Sequence, residues 1–401
     1  MSRFLVLGGG VSGCTAGYEL ARLGHEVTIL EQSGRFGGKV QDYCCKATEN
    51  CSKCGVCVAL SQVKDAARQE KVRISVGTTL REVQRNGGFI ARATRLNPSI
   101  DQKRCIDCAA CVEACPAGCI GRHGKGGLIQ YSINYDKCLL HKEKECSLCV
   151  DACPNRAILA GKKASSLTLH TDAILVATGH QPYDASRKIR LGYGRVKGVM
   201  TGAEVEEILG RKEALDPPSQ SVAFIQCVGS RDPKEGRNYC SAVCCAYALR
   251  LAHVLRKSAQ KTDISIYYID LQNFDKTFSR FRSELTEDGI HFIRAIPFRV
   301  ERSESGKLKL YVENSDHRET VAEHDKVVLS TGMEPSQDAD RLAKLLQIPR
   351  SEFGFFNTMN PGSGRTTCPG VYVSGTCHEP QGLADCIASA RAVALEMGTH
   401  P

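Results

Sequence analysis

Twenty-two cysteines stand in a chain of 401 residues, and their spacing states the chemistry more clearly than their number. Cys105, Cys108, Cys111 and Cys115 follow C-x2-C-x2-C-x3-C and run into Pro116. Cys138, Cys146, Cys149 and Cys153 repeat the run with a longer first gap and end on Pro154. Thiolates at this spacing hold 4Fe-4S clusters, and the fourth cysteine of each run reaches the cluster of the other. That crossing assigns Cys105, Cys108, Cys111 and Cys153 to one cluster, and Cys138, Cys146, Cys149 and Cys115 to a second. Structural zinc also takes four thiolates at C-x2-C spacing, but the paired run with its prolines is the more specific pattern. Cys119 lies outside the run and reads as a small packed hydrophobe.

A further group, Cys227-x12-Cys240-x3-Cys244-Cys245, follows the apolar run Ser221 to Gln226 and precedes the helical stretch Ala246 to Leu255. Four thiols at a strand end and a helix start can converge on a third cluster. A redox disulfide or buried thiols is the alternative. Cys51, Cys54 and Cys57, with Cys44 or Cys45, supply enough thiols for a fourth cluster, while reactive thiols and a structural role stay open. Cys368, Cys377 and Cys386 are too widely spaced to read.

These groups need elements to position them. Phe4 to Leu7 reads as a strand, Gly8-Gly9-Gly10-Val11-Ser12-Gly13 fits G-x-G-x-x-G, Cys14 to Leu23 as a helix, and His25 to Leu30 as a second strand ending at Glu31. In such a unit Gly8 permits the tight turn and Gly10 lets the backbone approach a pyrophosphate. Gly13 lets helix and strand pack closely, and Glu31 accepts hydrogen bonds from a ribose diol. The strand Ser221 to Gln226 opens a second region of the same kind, but it runs into Cys227-Val228-Gly229-Ser230 in place of a glycine loop, so a nicotinamide site is not expected there.

Composition sets the outer bounds. With 42% hydrophobic and 24% charged residues the chain can bury a full core, most naturally in two or three domains. The net charge of +9 is scattered, Trp is absent and aromatics make up 6%, so neither a basic stripe nor a stacking platform for nucleic acid is visible. No run approaches the roughly 18 apolar residues of a membrane span, and MSRFLVLGGG does not read as a signal peptide. The expectation is a cytoplasmic protein with no direct membrane insertion, and C-x-x-C spacings in that setting point to metal or redox chemistry over disulfides.

Several motifs resemble known families. Gly37-Gly38 follows Glu31 at the spacing of the extended flavin fingerprint of disulfide-reductase-like enzymes. AILVATG, ending at Thr178 and Gly179, and KVVLSTG, ending at Gly332, resemble the strand-to-glycine returns of the two-dinucleotide architecture. VYVSGTC, with Gly375 and Cys377, resembles the flavin-closing segment, which usually carries Asp where Cys377 is read. FIQCVGSRD with YCSAVCC resembles the signature of the heterodisulfide reductase A-type subunits and their relatives.

The resemblance implies an α/β, thioredoxin-reductase-like, two-dinucleotide-binding-domain flavoprotein with an inserted ferredoxin-like module of two 4Fe-4S clusters. The FAD-binding domain is expected in three parts (1–100, 161–215 and 331–401), the insert at 101–160, and the cluster-bearing nicotinamide-domain-like region at 216–330. It implies FAD with at least three clusters, a short core form without the additional modules of long members, and a cluster near FAD held by Cys227, Cys240, Cys244 and Cys245. Lys276, in the segment Asp270 to Lys276, is the residue it suggests near the flavin. The implied role is an electron-relaying oxidoreductase subunit working with heterodisulfide-reductase B- and C-like subunits or a related complex, with homodimerisation open. The alternatives are a self-contained nicotinamide-dependent disulfide or sulfur reductase, a cluster-storage or redox-sensing protein, and a quinone-interacting oxidoreductase subunit.

Overall fold

The computed structural model describes residues 1–125, 127–142, 144–161, 164–215, 220–258, 262–272, 276–314, 318–360 and 362–399. The run Arg3–Leu7 is the middle strand of a five-stranded parallel sheet. It is flanked by Ala173–Val176 and Glu26–Leu30, with Val371–Val373 and Val72–Ser75 at the edges. These strands are short apolar runs because a parallel sheet is covered on both faces. On one face lie the helices Val11–Arg22 and Leu383–Thr399, closing a core of Phe4, Val6, Leu20, Leu175 and Met397. On the other, Leu5, Leu7, Ile174 and Val176 meet the helix Ala339–Leu346 and an antiparallel three-stranded sheet, ordered Ala164–Thr171, Phe89–Leu96 and Thr78–Arg85.

The register of that antiparallel sheet explains how an insert is accommodated. Ala164 pairs with Leu96, so the intervening chain leaves and returns through one hairpin end. Its first and last strands, Ser99–Ile100 and Ile158–Leu159, pair with each other. Inside, a hairpin of Ile120–Lys125 and Leu128–Ile133 and two short helices, Ala110–Glu113 and Leu148–Asp151, enclose a separate core. Tyr131 and Ile133 pack there among the cysteines.

A seven-stranded sheet forms the second body, in the order Val199–Thr201, Lys326–Thr331, Ser221–Val228, Asp263–Tyr268, Ile290–Arg302, Leu308–Asn314 and Glu319–His324. Residues 161–215, expected to belong wholly with the first sheet, divide between the two. Val199–Thr201 pairs in parallel with Lys326–Thr331, and the helix Gly202–Gly210 opens on a Thr201–Glu204 capping box and packs over this second sheet. The strand is three residues long, too short to show a period in the sequence. His180–Pro182 and Met333–Pro335 pair antiparallel where the chain passes between the sheets.

The bodies are also joined by a buried ion pair. Lys46 and Glu206 are 3% and 2% exposed. The Glu206 carboxylate also accepts hydrogen bonds from the Cys44 N–H at 2.9 Å and the Tyr247 hydroxyl at 2.5 Å. Burial and Glu206 push the Tyr247 phenol well above its ordinary value, so it remains a donor. Lys46→Met leaves a buried carboxylate without its cation, and is expected to cost about 3–5 kcal/mol in equilibrium denaturation.

Candidate cofactor sites

The first candidate site is the turn between Arg3–Leu7 and the helix Val11–Arg22. Gly8 has φ +104°, and a Cβ there would lie 2.4 Å from the Ala177 carbonyl oxygen; one on Gly13 would lie 1.9 Å from the Gly8 oxygen. A Cβ on Gly10 would have nothing within 4 Å. Gly10 is the N-cap and makes no side-chain cap, so first-turn N–H groups and the positive end of the helix are available to an anion. Two glycines thus serve the packing, and the third opens the space a diphosphate would need. The Glu31 carboxylate accepts from Gly9 N–H at 2.8 Å and Ser33 N–H at 2.7 Å, which fixes it at the end of the second strand.

The residues after Glu31 fold back over this turn. Gly37 has φ +103° and donates its N–H to the Gly9 carbonyl at 2.6 Å, and a Cβ on Gly38 would lie 3.1 Å from Gly10 Cα. Lys39, which the sequence reading did not single out, donates to the His180 carbonyl at 2.6 Å. Burial holds its pKa below the usual lysine value, against the opposing pull of Asp42 and Glu31. His180 shares a 2.9 Å hydrogen bond with Thr376 Oγ1, and burial, assisted by Lys39, lowers its pKa to about 3, so the ring is neutral.

Thr178 and Gly179 lie in the same region: Thr178 Oγ1 stands 3.4 Å from Ser336 Oγ, and Gly179 has φ +70° with Thr376 Oγ1 beside it. Gly375, at φ +75°, packs on Ser12 of the first helix.

Two expected contacts move. Cys377 is buried in the core and donates its thiol to the Val176 and Ser374 carbonyls, both at 3.2 Å, with burial raising its pKa to about 12. The side chain after Gly375 that meets His180 is Thr376. Gly332 packs against Ser241 and Ser230, and its N–H donates to Val228 O at 2.9 Å, which puts it beside the second sheet's loop. Cys377 and Thr376 point opposite ways because side-chain direction depends on the turn, and Gly332 lies where it does because the strand before it, Lys326–Thr331, belongs to the second sheet.

In the insert, Cys105, Cys108 and Cys111 line one cavity together with Cys153, closed by Ile100, Tyr131 and Ile158. Burial, and after it the charges of Cys138, Cys146, Cys115 and Cys111, raise the Cys149 pKa to about 11. The last cysteine of each run accepts a backbone hydrogen bond: Cys119 N–H donates to Cys115 Sγ at 3.4 Å, and Ala157 N–H to Cys153 Sγ at 3.2 Å. Cys119 is buried, as expected, but its thiol also lies 3.4 Å from Cys115 Sγ. Burial and that bond raise its pKa to about 12, keeping it a donor. Among the described residues, no three His, Cys, Asp or Glu side chains converge as the ligands of a single ion would.

At the second sheet, Cys227 sits in a β-bulge between Ile225 and Val228, with φ +61°. Its thiol and that of Cys244 influence each other, as do those of Cys244 and Cys245, and Cys240 feels the charges of Cys227 and Cys245. Cys244 begins the helix Cys244–Ser258, whose positive end favours thiolate. The hydrogen bond from Cys244 lowers the Cys245 pKa to about 7 against burial, helped by the Gln272 N–H. Gly229, where a nucleotide loop would need room, has the Tyr183 ring 2.0 Å from the position of a Cβ.

The remaining candidates are more dispersed. Cys44 is buried beside Gly210, whereas Cys45, Cys51 and Cys57 are exposed and Cys54 is half-buried. The segment of Cys51 and Ser52 lies against Ala246, Arg250 and Phe281, with Arg250 donating to Ser52 O at 3.2 Å. Lys276 is exposed on the turn before the helix Phe278–Glu287; Asn273, Phe274 and Asp275 of its segment lie outside the described residues. The buried Gln130 side chain was missed by sequence reading. It donates to Phe36 O at 2.9 Å and accepts from Phe36 N–H at 3.0 Å, holding the insert against the turn after Glu31.

Comparison with known proteins agrees with this geometry. Residues 6–54 match the NAD(P)-binding Rossmann-like domain, and residues 104–157 match the 4Fe-4S dicluster domain. The A-type subunit of the H(2):CoB-CoM heterodisulfide,ferredoxin reductase of Methanothermobacter marburgensis is 30% identical over 97% of this chain and 62% of its own length. An A-type iron-sulfur subunit of the CoB--CoM heterodisulfide reductase of Methanopyrus kandleri is 30% identical over 99% of this chain and 64% of its own. The likeness to the heterodisulfide reductase A-type subunits runs the length of the chain. The chain in turn spans less than two thirds of these relatives. Among solved structures, T. acidophilum thioredoxin reductase superposes with a TM-score of 0.55 over 100% of this chain and 99% of its own, at 14% identity. The bacillithiol disulfide reductase of Bacillus cereus does so at 0.54, covering 100% and 99%, also at 14% identity. The fold is therefore the thioredoxin-reductase-like one, with a dicluster insert. Among the described residues no helix is long and apolar enough to cross a membrane.

The crossed arrangement makes a selective prediction. Cys153→Ser should remove the cluster of Cys105, Cys108 and Cys111 and about four irons per chain, leaving the signal of the other cluster. Cys115→Ser should do the reverse, as read by iron analysis and EPR.

Proposed function

We propose that this chain is the FAD- and iron-sulfur-bearing electron-transfer subunit of a heterodisulfide-reductase-like oxidoreductase. The single observation that carries the reading is the convergence of the distant Cys153 with Cys105, Cys108 and Cys111 on one cavity in an insert that Gln130 bonds to the dinucleotide turn. A flavin exchanges one or two electrons and a 4Fe-4S cluster one, so the two together join hydride-level chemistry to one-electron wiring.

The protein's part is to bind, orient and insulate. The open face at Gly10 and the uncapped helix start would take the diphosphate, and Glu31, tied to Gly9 and Ser33, would receive the adenosine ribose. Lys39 and the neutral His180–Thr376 pair would border the remainder of the cofactor. Cys105, Cys108, Cys111 and Cys153 would hold one cluster, Cys138, Cys146, Cys149 and Cys115 a second, and Cys227, Cys240, Cys244 and Cys245 a third. The dispersed set of Cys51, Cys54 and Cys57 is assigned none.

Tyr183 against Gly229 fills the turn where a nicotinamide nucleotide would approach, which favours an electron relay over a self-contained nicotinamide-dependent reductase. By analogy with the relatives, electrons would pass to or from B- and C-like subunits. Anaerobic purification should give one FAD and about 12 irons per chain, with cubane signals in EPR after dithionite reduction. Loss of flavin binding in Gly10→Val with iron retained would place the flavin at this turn. A chain that holds no flavin, or zinc in place of iron, would overturn the reading.

A further inference from the structure

The loop beyond the Cys227 bulge contains a charge pair that neither thiol ligation nor the sheet requires. Arg231 is a non-glycine residue at φ +54°, and Cys227 and Ala242 near it lie at +61° and +59°. Such conformations carry strain and persist only where the surroundings impose them. Here the Arg231 N–H is bonded to Tyr239 O at 2.9 Å. Its guanidinium grips Asp270 with both terminal nitrogens, Nη2 donating to Oδ2 at 3.0 Å. Asp270 also accepts from the Gln272 side-chain amide at 2.9 Å. Arg231 stands on the loop that runs from Cys227 to Cys240, and the Tyr239 carbonyl that its N–H bonds belongs to the residue before Cys240, so that the charges of Arg231 and Asp270 reach the Cys227 and Cys245 thiols. Arg294, on the neighbouring strand, acts on Asp270. A strained backbone and a bidentate pair thus fix two opposite charges beside one group of thiols.

We propose that Arg231 and Asp270 set the reduction potential of the cluster held by Cys227, Cys240, Cys244 and Cys245, Arg231 favouring the arrival of an electron and Asp270 opposing it. The proposal rests on the cluster reading above and adds the residues that tune it. Reduction adds one negative charge to the cluster with no bond made or broken. A fixed cation nearby lowers the cost of that charge and a fixed anion raises it. The side chains are 26% and 40% exposed, so their influence is screened in part and weakens as salt rises. Both act as positioning charges and neither is a ligand.

The test is an EPR-monitored redox titration of the full chain, purified anaerobically, with the signal of this cluster assigned by its loss in Cys240→Ala. Arg231→Gln should shift the midpoint to more negative potential and Asp270→Asn to more positive. Arg231→Lys should stay near the unmutated value, and both shifts should shrink as ionic strength is raised. Shifts of the same sign in Arg231→Gln and Asp270→Asn, or no shift in either with iron and signal intact, would overturn the proposal alone. About eight irons in the unmutated chain, with no third signal, would overturn the third cluster itself and the proposal with it.

Discussion

The Gln130 amide, buried and bonded on both sides to the backbone of Phe36, is the contact on which the rest of the arrangement turns. It joins the hairpin of a small cysteine-rich module to the turn that folds over the glycine loop. A buried amide that lost either bond would leave unsatisfied polar atoms on both sides, a penalty larger than the net gain from forming the bond. The module, which leaves the sheet at the Leu96 and Ala164 hairpin end and touches it again where Lys103 donates to Val72 O at 2.7 Å, is thereby held in orientation. This contact fixes the separation between the cysteine-rich module and the dinucleotide turn.

The second body is held by a different kind of force. Lys46, Glu206, Tyr247 and the Cys44 N–H form a closed polar group in which each buried charge has a partner. The lysine also faces the Tyr43 and Tyr247 rings at 5.3 and 5.5 Å. Replacing such a group by apolar residues is often no loss in stability. Its value is geometric, because only one mutual placement of the bodies satisfies every member. The helix bearing Tyr247 begins at Cys244, so the same group that sets the bodies also places the start of the Cys244–Ser258 helix, where two of the thiols lie.

Local signals translated well where the chemistry is contiguous in the chain. The strand, turn, helix and strand leading to Glu31 are present, and Cys153 shares one cavity with Cys105, Cys108 and Cys111. Reading was poorer where a residue's role depends on direction. Cys377 and Thr376 are adjacent, yet one faces the core and the other His180. Gly332 follows an apolar strand that looks like the flavin-domain returns but belongs to the other sheet.

Residue identity and spacing by themselves determined the two ferredoxin-like cysteine runs and the glycine turn with its acidic partner, because each is a short-range pattern with a direct steric or ligand meaning. Only the tertiary structure decided that Val199–Thr201 joins the second sheet, that Tyr183 fills the space at Gly229, and that Lys39, Gln130, Arg231 and Asp270 meet the sites they border. Those are contacts between residues distant in sequence, made by single side chains with no period or motif, and their partners become neighbours only when the two sheets and the insert are packed together.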